Sequence, residues 1–273
     1  MERYLCLNLE TDSTETSDAL VAFLSAEGFE GFEEEEGRLK AYRPDDEWNR
    51  QEVFDELDLR SIAYSLEEIE KTNWNQLWES NFEPVVVDDF VGIRADFHAP
   101  IKGVEMELVV TPKMSFGTGH HATTRLMIQQ MRQSIKSGDW VLDFGTGTGV
   151  LAILAKKMGA AEVIGIDIED WSIENAIDNA WINEVSDISF HCSNRIEQQG
   201  PFNCILANIN RNILLDHMSR IGAVLAPGGM ILLSGILEDD LLVMDEALRE
   251  VGLKRINYTQ EKGWICIQAI QYQ

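Results

Sequence analysis

The sequence predicts an α/β protein: a doubly wound, mainly parallel sheet finished by an antiparallel hairpin, preceded by a small α+β domain. Three observations carry this. From Gly138 onward short apolar segments alternate with amphipathic ones, a glycine-rich turn "DFGTGTG" marks the first strand–helix junction, and residues 1–70 follow the order β-α-β-β-α-β.

Taken in order, "YLCLNLE" alternates as a strand, and "TSDALVAFLSAEGF" reads as a helix with Thr16 or Ser17 as its cap and Gly28 at its end. "FEGFEEEEGRLKAYR" gives two strands around an acidic turn, in which Glu33 to Glu36 read as solvated. "DEWNRQEVFDEL" is a second helix and "SIAYSLEEI" a further strand. This is a split-βαβ pattern. "KTNWNQLWESNFEPVVV" then predicts a linker helix over 71–84, with Trp74 and Trp78 on one face and Pro84 as its stop. The remainder, 85–273, opens with "VGIRADF" and "EMELVV", read as a hairpin. "WVLDFG", "EVIGID", "ISFHCS", "FNCILANI" and "MILLSGI" follow as buried strands separated by helices. In "WSIENAIDNAWINEV", Ile173, Ala176, Ile177 and Ala180 recur at helical spacing and are expected to pack on the sheet. "LKRINYTQEKGWICIQAIQ" is too closely spaced for a helical crossover, so it predicts the antiparallel terminal pair.

The 273 residues suit two domains, and 45% apolar with 25% charged residues is an ordinary globular mixture. No apolar run approaches the ~20 residues of a membrane span. The N-terminus has no charged segment followed by an apolar core, so a signal peptide is not expected and a cytoplasmic location is. Cys6, Cys192, Cys204 and Cys266 form no CxxC pair and read as thiols of a reducing compartment. A net charge of −25 repels phosphate backbones and anionic lipid, which disfavours nucleic-acid or membrane binding and favours a basic partner.

In "DFGTGTG", Gly145, Gly147 and Gly149 allow a tight turn and close backbone approach at a helix N-terminus. The third glycine of a dinucleotide fingerprint is missing, because Val150 stands in its place. The form suits a ligand whose amino acid and ribose lie over the turn without a pyrophosphate. Asp167 ends the second strand, where a carboxylate accepts hydrogen bonds from both ribose hydroxyls. Enzymes using NAD share this device, so Asp167 alone does not choose the cofactor. Glu169 and Asp170 read as solvated or as helix-start residues. Asn208 ends the fourth strand and either presents an amide to the ligand or caps the next helix. Adjacent histidines in "SFGTGHHATT" make a poor metal site, and the run has no GxSxG nucleophile turn, so no metal is assigned.

The glycine turn, Asp167, Asn208 and the final hairpin together resemble the Rossmann-like class I S-adenosylmethionine-dependent methyltransferases. "NWNQLWESNFEP", "TPKMSFGTGHHATT", "VLDFGTGTGVLAILAKKMGAAEVIGIDI" and "ILANI…LLSGIL" narrow the resemblance to the bacterial PrmA family, which methylates protein L-eleven of the large ribosomal subunit. The resemblance implies a ferredoxin-like substrate-recognition domain over 1–70, the linker helix and a methyltransferase domain over 85–273. It places cofactor contacts at Thr124, Gly145, Asp167 and Asn208, makes S-adenosylmethionine the cofactor, and makes the basic protein L-eleven the substrate; separately, a monomer is expected. Thr111, Lys113 and Ala122 depart from the family pattern. "SFGTGHHATT" then reads as a loop covering the cofactor, with Thr124 supplying a hydroxyl.

A lysine amine, with an ordinary pKa of ~10.4, loses a proton before it attacks the methyl group. His120, His121 and nearby carboxylates are candidate bases; none is assigned, so the catalytic residues are unknown. "ANIN" lacks the Pro-Pro-aromatic continuation associated with planar nitrogen substrates, which favours an aliphatic amine. A nicotinamide-dependent oxidoreductase and a noncatalytic ribosome-associated module are the alternatives.

Overall fold

The computed structural model describes residues 3–11, 16–17, 20–21, 23–24, 27–29, 31–35, 37–44, 48, 50–70, 83–111, 121–197 and 200–271. The expected linker helix, with Trp74 and Trp78, and residues 112–120 of the region around "SFGTGHHATT" lie outside the described residues. The chain divides into two compact units, Met1–Asn81 and Phe82–Gln273.

The first unit holds β1 (Arg3–Glu10), β2 (Gly31–Glu35), β3 (Arg38–Pro44), α1 (Arg50–Leu59) and β4 (Tyr64–Glu70). Its antiparallel sheet has the order β2-β3-β1-β4. Helical residues between β1 and β2 supply Leu20 and Leu24 to a core with Leu7, Leu9, Leu39, Val53 and Leu57. Thr16 and Ser17, expected to cap that helix, are themselves helical, and the Ser17 hydroxyl donates to Thr11 Oγ1 at 3.3 Å. Gly28 ends it at φ 84°, with the Phe29 amide donating to the Leu24 carbonyl at 3.0 Å.

The second unit begins with β5 (Val85–Val87), β6 (Val91–Arg94) and β7 (Met106–Val109). Here the predicted hairpin is corrected: β6 and β7 run parallel, and the hairpin is β5–β6. The intervening chain crosses the face of β6, with Ile101 against Gly92, where a side chain would collide with it. Amides of Glu105 and Met106 then bond to the carbonyls of Asp89 and Phe90, returning the chain to the start of β6.

The remaining elements are α2 (Ala122–Ser134), β8 (Trp140–Phe144), α3 (Val150–Lys157), β9 (Glu162–Asp167), α4 (Asp170–Ile182), β10 (Ser189–Cys192), β11 (Phe202–Asn208), α5 (Arg211–Val224), β12 (Leu225–Leu237), a 3₁₀ turn at Glu238–Asp240, α6 (Leu241–Glu250), β13 (Leu253–Glu261) and β14 (Trp264–Gln271). The seven-stranded sheet has the order β10-β9-β8-β11-β12-β14-β13. Strands β8 to β12 pair in parallel, and β14 is antiparallel to both neighbours. Apolar strands such as "CILA" in β11 are buried because helices cover both faces. The "PGG" expected to follow a helix lies inside β12, whose Leu225 pairs with Phe202. One core expectation fails: Ile173, Ala176 and Ala180 are buried, but Ile177 is 51% exposed. The inward positions of α4 are instead shared with Asn175, Asn179 and Asn183.

Ile205 is fully buried at the centre of β11, packed among the apolar side chains of the α5 and α6 face. Ile205→Ala is expected to lower unfolding free energy by about 2–5 kcal/mol in urea titrations. Leu242→Ala, at an exposed position, should change it by less than about 0.5 kcal/mol.

Candidate functional site

Strands β9, β8 and β11 are neighbours and end at one level, since Phe144 is registered with both Ile166 and Ala207. Strand order reverses between β8 and β11, which opens a crevice at their carboxyl ends. The turn from β8 into α3 lies there. Gly145, Gly147 and Gly149 have φ of 80°, 53° and 77°, values that L side chains rarely adopt.

This turn is fastened from below and from the side. The amides of Gly145 and Thr146 donate to the Ile166 carbonyl at 2.8 and 2.9 Å. The Gly147 amide donates to Asp167 Oδ2 at 2.8 Å, while Asp167 Oδ1 accepts from the Glu169 amide at 3.2 Å. Beneath the turn, Asp143 Oδ2 accepts from the Thr146 hydroxyl at 2.7 Å and from the Ala152 amide at 3.2 Å. Asp143 is fully buried, and Oδ1 has no hydrogen-bond partner among the described residues. Burial pushes its carboxyl up to about 7, raised further by the charge of Asp167 and opposed by the two hydrogen bonds.

The four predicted contact residues come together along one rim. Asp167 is bonded to the turn through Gly147, and Gly145 leaves no room for a side chain because Ile209 lies against it. Asn208 precedes Ile209, and its Nδ2 lies 3.4 Å from Thr124 Oγ1. Asn210, not Asn208, caps α5, with its side-chain oxygen accepting from the Ile213 amide at 3.1 Å. That leaves the Asn208 amide facing Thr124 at the crevice.

Thr124 is buried in the first turn of α2, which the terminal hairpin holds in place. Arg125 pairs with Glu261, and the guanidinium holds that carboxyl below its usual range. Gln130 donates to Thr259 at 3.2 Å, and Gln268 to Ser134 at 3.1 Å. His121, a candidate base, is the N-cap of α2, accepting from the Thr123 amide, with its ring edge-on to Trp264 at 4.9 Å. His120 and Lys113 lie outside the described residues. Thr111 is described, and its amide donates to Asn179 Oδ1 at 2.8 Å. Asp143, Asn179 and Asn183 were not singled out from the sequence, although asparagines four apart on one helix were a visible signal.

The residues fit the donor implied by the sequence resemblance. Each oxygen of Asp167 takes one backbone amide and keeps a lone pair for one hydroxyl of a ribose diol. Val150 turns its side chain into the core, so α3 begins without the third glycine of a pyrophosphate site.

A seven-stranded sheet with an antiparallel β14 inserted beside β12, and this turn at its switch point, defines a class I methyltransferase. The family model described as "Ribosomal protein L11 methyltransferase (PrmA)" matches residues 8–271. A Porphyromonas gingivalis ribosomal protein L11 methyltransferase is 39% identical over 270 residues, covering 96% of this chain and 92% of that one. Its Bacteroides fragilis counterpart is 36% identical over 266 residues, covering 94% and 95% respectively. The crystal structure of a ribosomal protein L11 methylase from Lactobacillus delbrueckii subsp. bulgaricus superposes with a TM-score of 0.65 at 28% identity, covering 70% of this chain and 100% of that one. The chain belongs to the ribosomal protein L11 methyltransferase (PrmA) family.

The buried Asp143 carboxyl makes a pH prediction. Its folded-state value, about 7, exceeds the unfolded value near 3.8, so the folded state binds more protons between them. Stability from this group is therefore greatest at low pH and falls as pH rises from about 4 to about 7. The full effect is on the order of 4 kcal/mol. In denaturant titrations at pH 5 and pH 8, wild type should lose stability relative to Asp143→Asn. Parallel pH profiles for the two proteins would contradict this account.

Proposed function

We propose that this chain transfers methyl groups from S-adenosylmethionine to lysine side-chain amines, and to the N-terminal amine, of ribosomal protein L11. The observation that carries this reading is the extent of the family match. It spans both units, and relatives of nearly the same length bear that substrate in their names.

In this reading the second unit binds the donor and the first recognises the protein substrate. Asp167 holds the ribose hydroxyls, the turn at Gly145 approaches the amino-acid end, and Asn208 and Thr124 contact the donor from the β11 side. The sulfonium supplies an activated methyl group, so the protein's task is alignment of an amine on the methyl axis and exclusion of water. Desolvation of the incoming lysine in the crevice lowers its pKa and favours the neutral, nucleophilic amine. The net charge of −25 attracts a basic protein and opposes direct contact with ribosomal RNA. The enzyme is read as a cytoplasmic monomer. No helix among the described residues is long and apolar enough to cross a membrane.

Incubation with isotopically labelled S-adenosylmethionine and unmodified ribosomal protein L11, followed by peptide mass spectrometry, should place label on lysines and the N-terminus. Label-free L11 after full incubation would leave a noncatalytic binding module as the better account. Calorimetry should detect S-adenosylmethionine and not NAD; the reverse result would restore the oxidoreductase reading. Asp167→Ala should weaken donor binding at least about tenfold, the loss of a charge-assisted hydrogen-bond pair. Glu169→Ala, which alters the exposed N-cap of α4, should cost little; equal losses would undo the ribose assignment.

A further inference from the structure

Strand β7 is the edge of its three-stranded sheet. Its partner β6 receives the Val110 amide through the Arg94 carbonyl at 2.8 Å, so the backbone groups of Val109 and Thr111 face the other way. An edge of this kind needs partners when it is covered. Here a helix supplies them. Asn183 Oδ1 accepts from the Val109 amide at 2.9 Å, and its Nδ2 donates to the Val109 carbonyl at 2.6 Å. One helical turn earlier, Asn179 Oδ1 accepts from the Thr111 amide at 2.8 Å.

The spacing explains why asparagines at this interval serve. Four helical residues rise ~6 Å, and two strand residues advance ~6.6 Å, so a helix laid along a strand presents successive turns to alternate residues. Short amide side chains then reproduce the donor and acceptor of a missing neighbour strand. Asparagine is a poor helix former, and Asn179 is fully buried; a mid-helix buried amide is retained here by the bonds it makes.

The two asparagines differ in their second contact. Beyond the strand, among the described residues, Asn183 Nδ2, at the C-cap of α4, donates to the carbonyl of Asn179 at 2.8 Å. Asn179 Nδ2 donates to the Thr148 carbonyl at 2.9 Å, inside the glycine-rich turn. The peptide linking Thr148 to Gly149 is consequently held at both ends, because the Gly149 amide donates to the Thr146 carbonyl at 2.8 Å. Gly149 itself lies at φ 77° against Ala176 of the same helix.

We infer that Asn179 is a positioning residue for the donor site, its one amide group locking the glycine-rich turn to the backbone at Thr111. This rests on the reading of that turn as the donor-binding element. Asn183 anchors the same strand without touching the turn, so it separates positioning from plain structural support. Thr111 takes part through its backbone amide alone, which makes the bond independent of the departure from the family pattern at that side chain.

The test is donor affinity by calorimetry with S-adenosylmethionine, measured well below the melting temperature of every variant. Asn179→Ala should weaken the donor Kd at least about tenfold and raise the donor KM by a similar factor, with kcat at saturating donor within about twofold. Asn183→Ala should lower the melting temperature as well, yet keep the donor Kd within about twofold of wild type. Asn179→Asp, which keeps the acceptor for Thr111 and loses the donor to Thr148, should behave as Asn179→Ala does. Equal loss of donor affinity in the Asn179 and Asn183 variants, or none in either, overturns the inference. Asp167→Ala run in parallel separates the two claims. If it loses donor and Asn179→Ala does not, the donor site stands and the role of Asn179 falls. If the Asn179 variants do not fold, hydrogen exchange on the wild-type protein decides. Added donor should slow exchange of the Gly149 and Thr111 amides together, and protection confined to the turn refutes the coupling.

Discussion

The reversal from β8 into α3 depends on the carboxylate of Asp143. It lies fully buried at the end of an apolar strand and joins the turn's Thr146 hydroxyl to the Ala152 amide in the first helical turn. Without that bridge, a chain with three glycines at positive φ between strand and helix would have many conformations of similar energy. The cost of this arrangement is visible in the same group, whose second oxygen has no partner among the described residues and whose carboxyl resists ionisation. A rigid turn is thus obtained with a buried acid, and Asp167 and Asn179 fasten the parts of the loop that Asp143 does not reach.

The opposite wall of the crevice is built by different means. Thr124 and Asn208 belong to α2 and β11, and they meet each other at the crevice, Asn208 Nδ2 lying 3.4 Å from Thr124 Oγ1. Thr124 is placed by the way α2 rests on the terminal hairpin, through Arg125 with Glu261 and through Gln268 with Ser134, and Asn208 by the pairing of β11 with β12, where it is registered with Ser234. The antiparallel pair therefore does more than terminate the sheet. It carries the helix whose first turn faces Asn208, and so couples the last strands of the chain to the crevice between β8 and β11.

Much of this was legible in the sequence because the relevant signals are local. Glycine spacing, the carboxylate at the end of β9 and the short gap before the last strand each follow from a few adjacent residues. The failures share a different cause. "VGIRADF" and "EMELVV" read as strands of a hairpin, but Ile101 on Gly92 and the return bonds to Asp89 and Phe90 are long-range choices that no adjacent residues signal. In α4 the apolar period holds at Ile173, Ala176 and Ala180 and fails at Ile177, which is exposed. The face beside those residues is polar and yet buried, because an uncovered strand edge offers its amides to Asn179 and Asn183. A hydrophobic pattern has no means of registering a buried side chain that is there to replace a strand.

Val150, at the start of α3, shows how the packing around the turn departs from that of a dinucleotide site. In a dinucleotide site the third glycine lets helix and strand pack closely beneath a pyrophosphate. Here that position carries a buried valine, which fills the core under α3. Close packing has moved one residue earlier, to Gly149, where a side chain would meet Ala176 of α4. The turn is consequently pressed sideways against α4, the helix that follows Asp167 and bears Asn179. One helix thereby lies beside the Asp167 carboxylate, packs on the turn and bonds to its backbone. A displacement of α4 would be felt by all three, which is why its buried polar face belongs to the site although none of its asparagines ends a strand at the crevice.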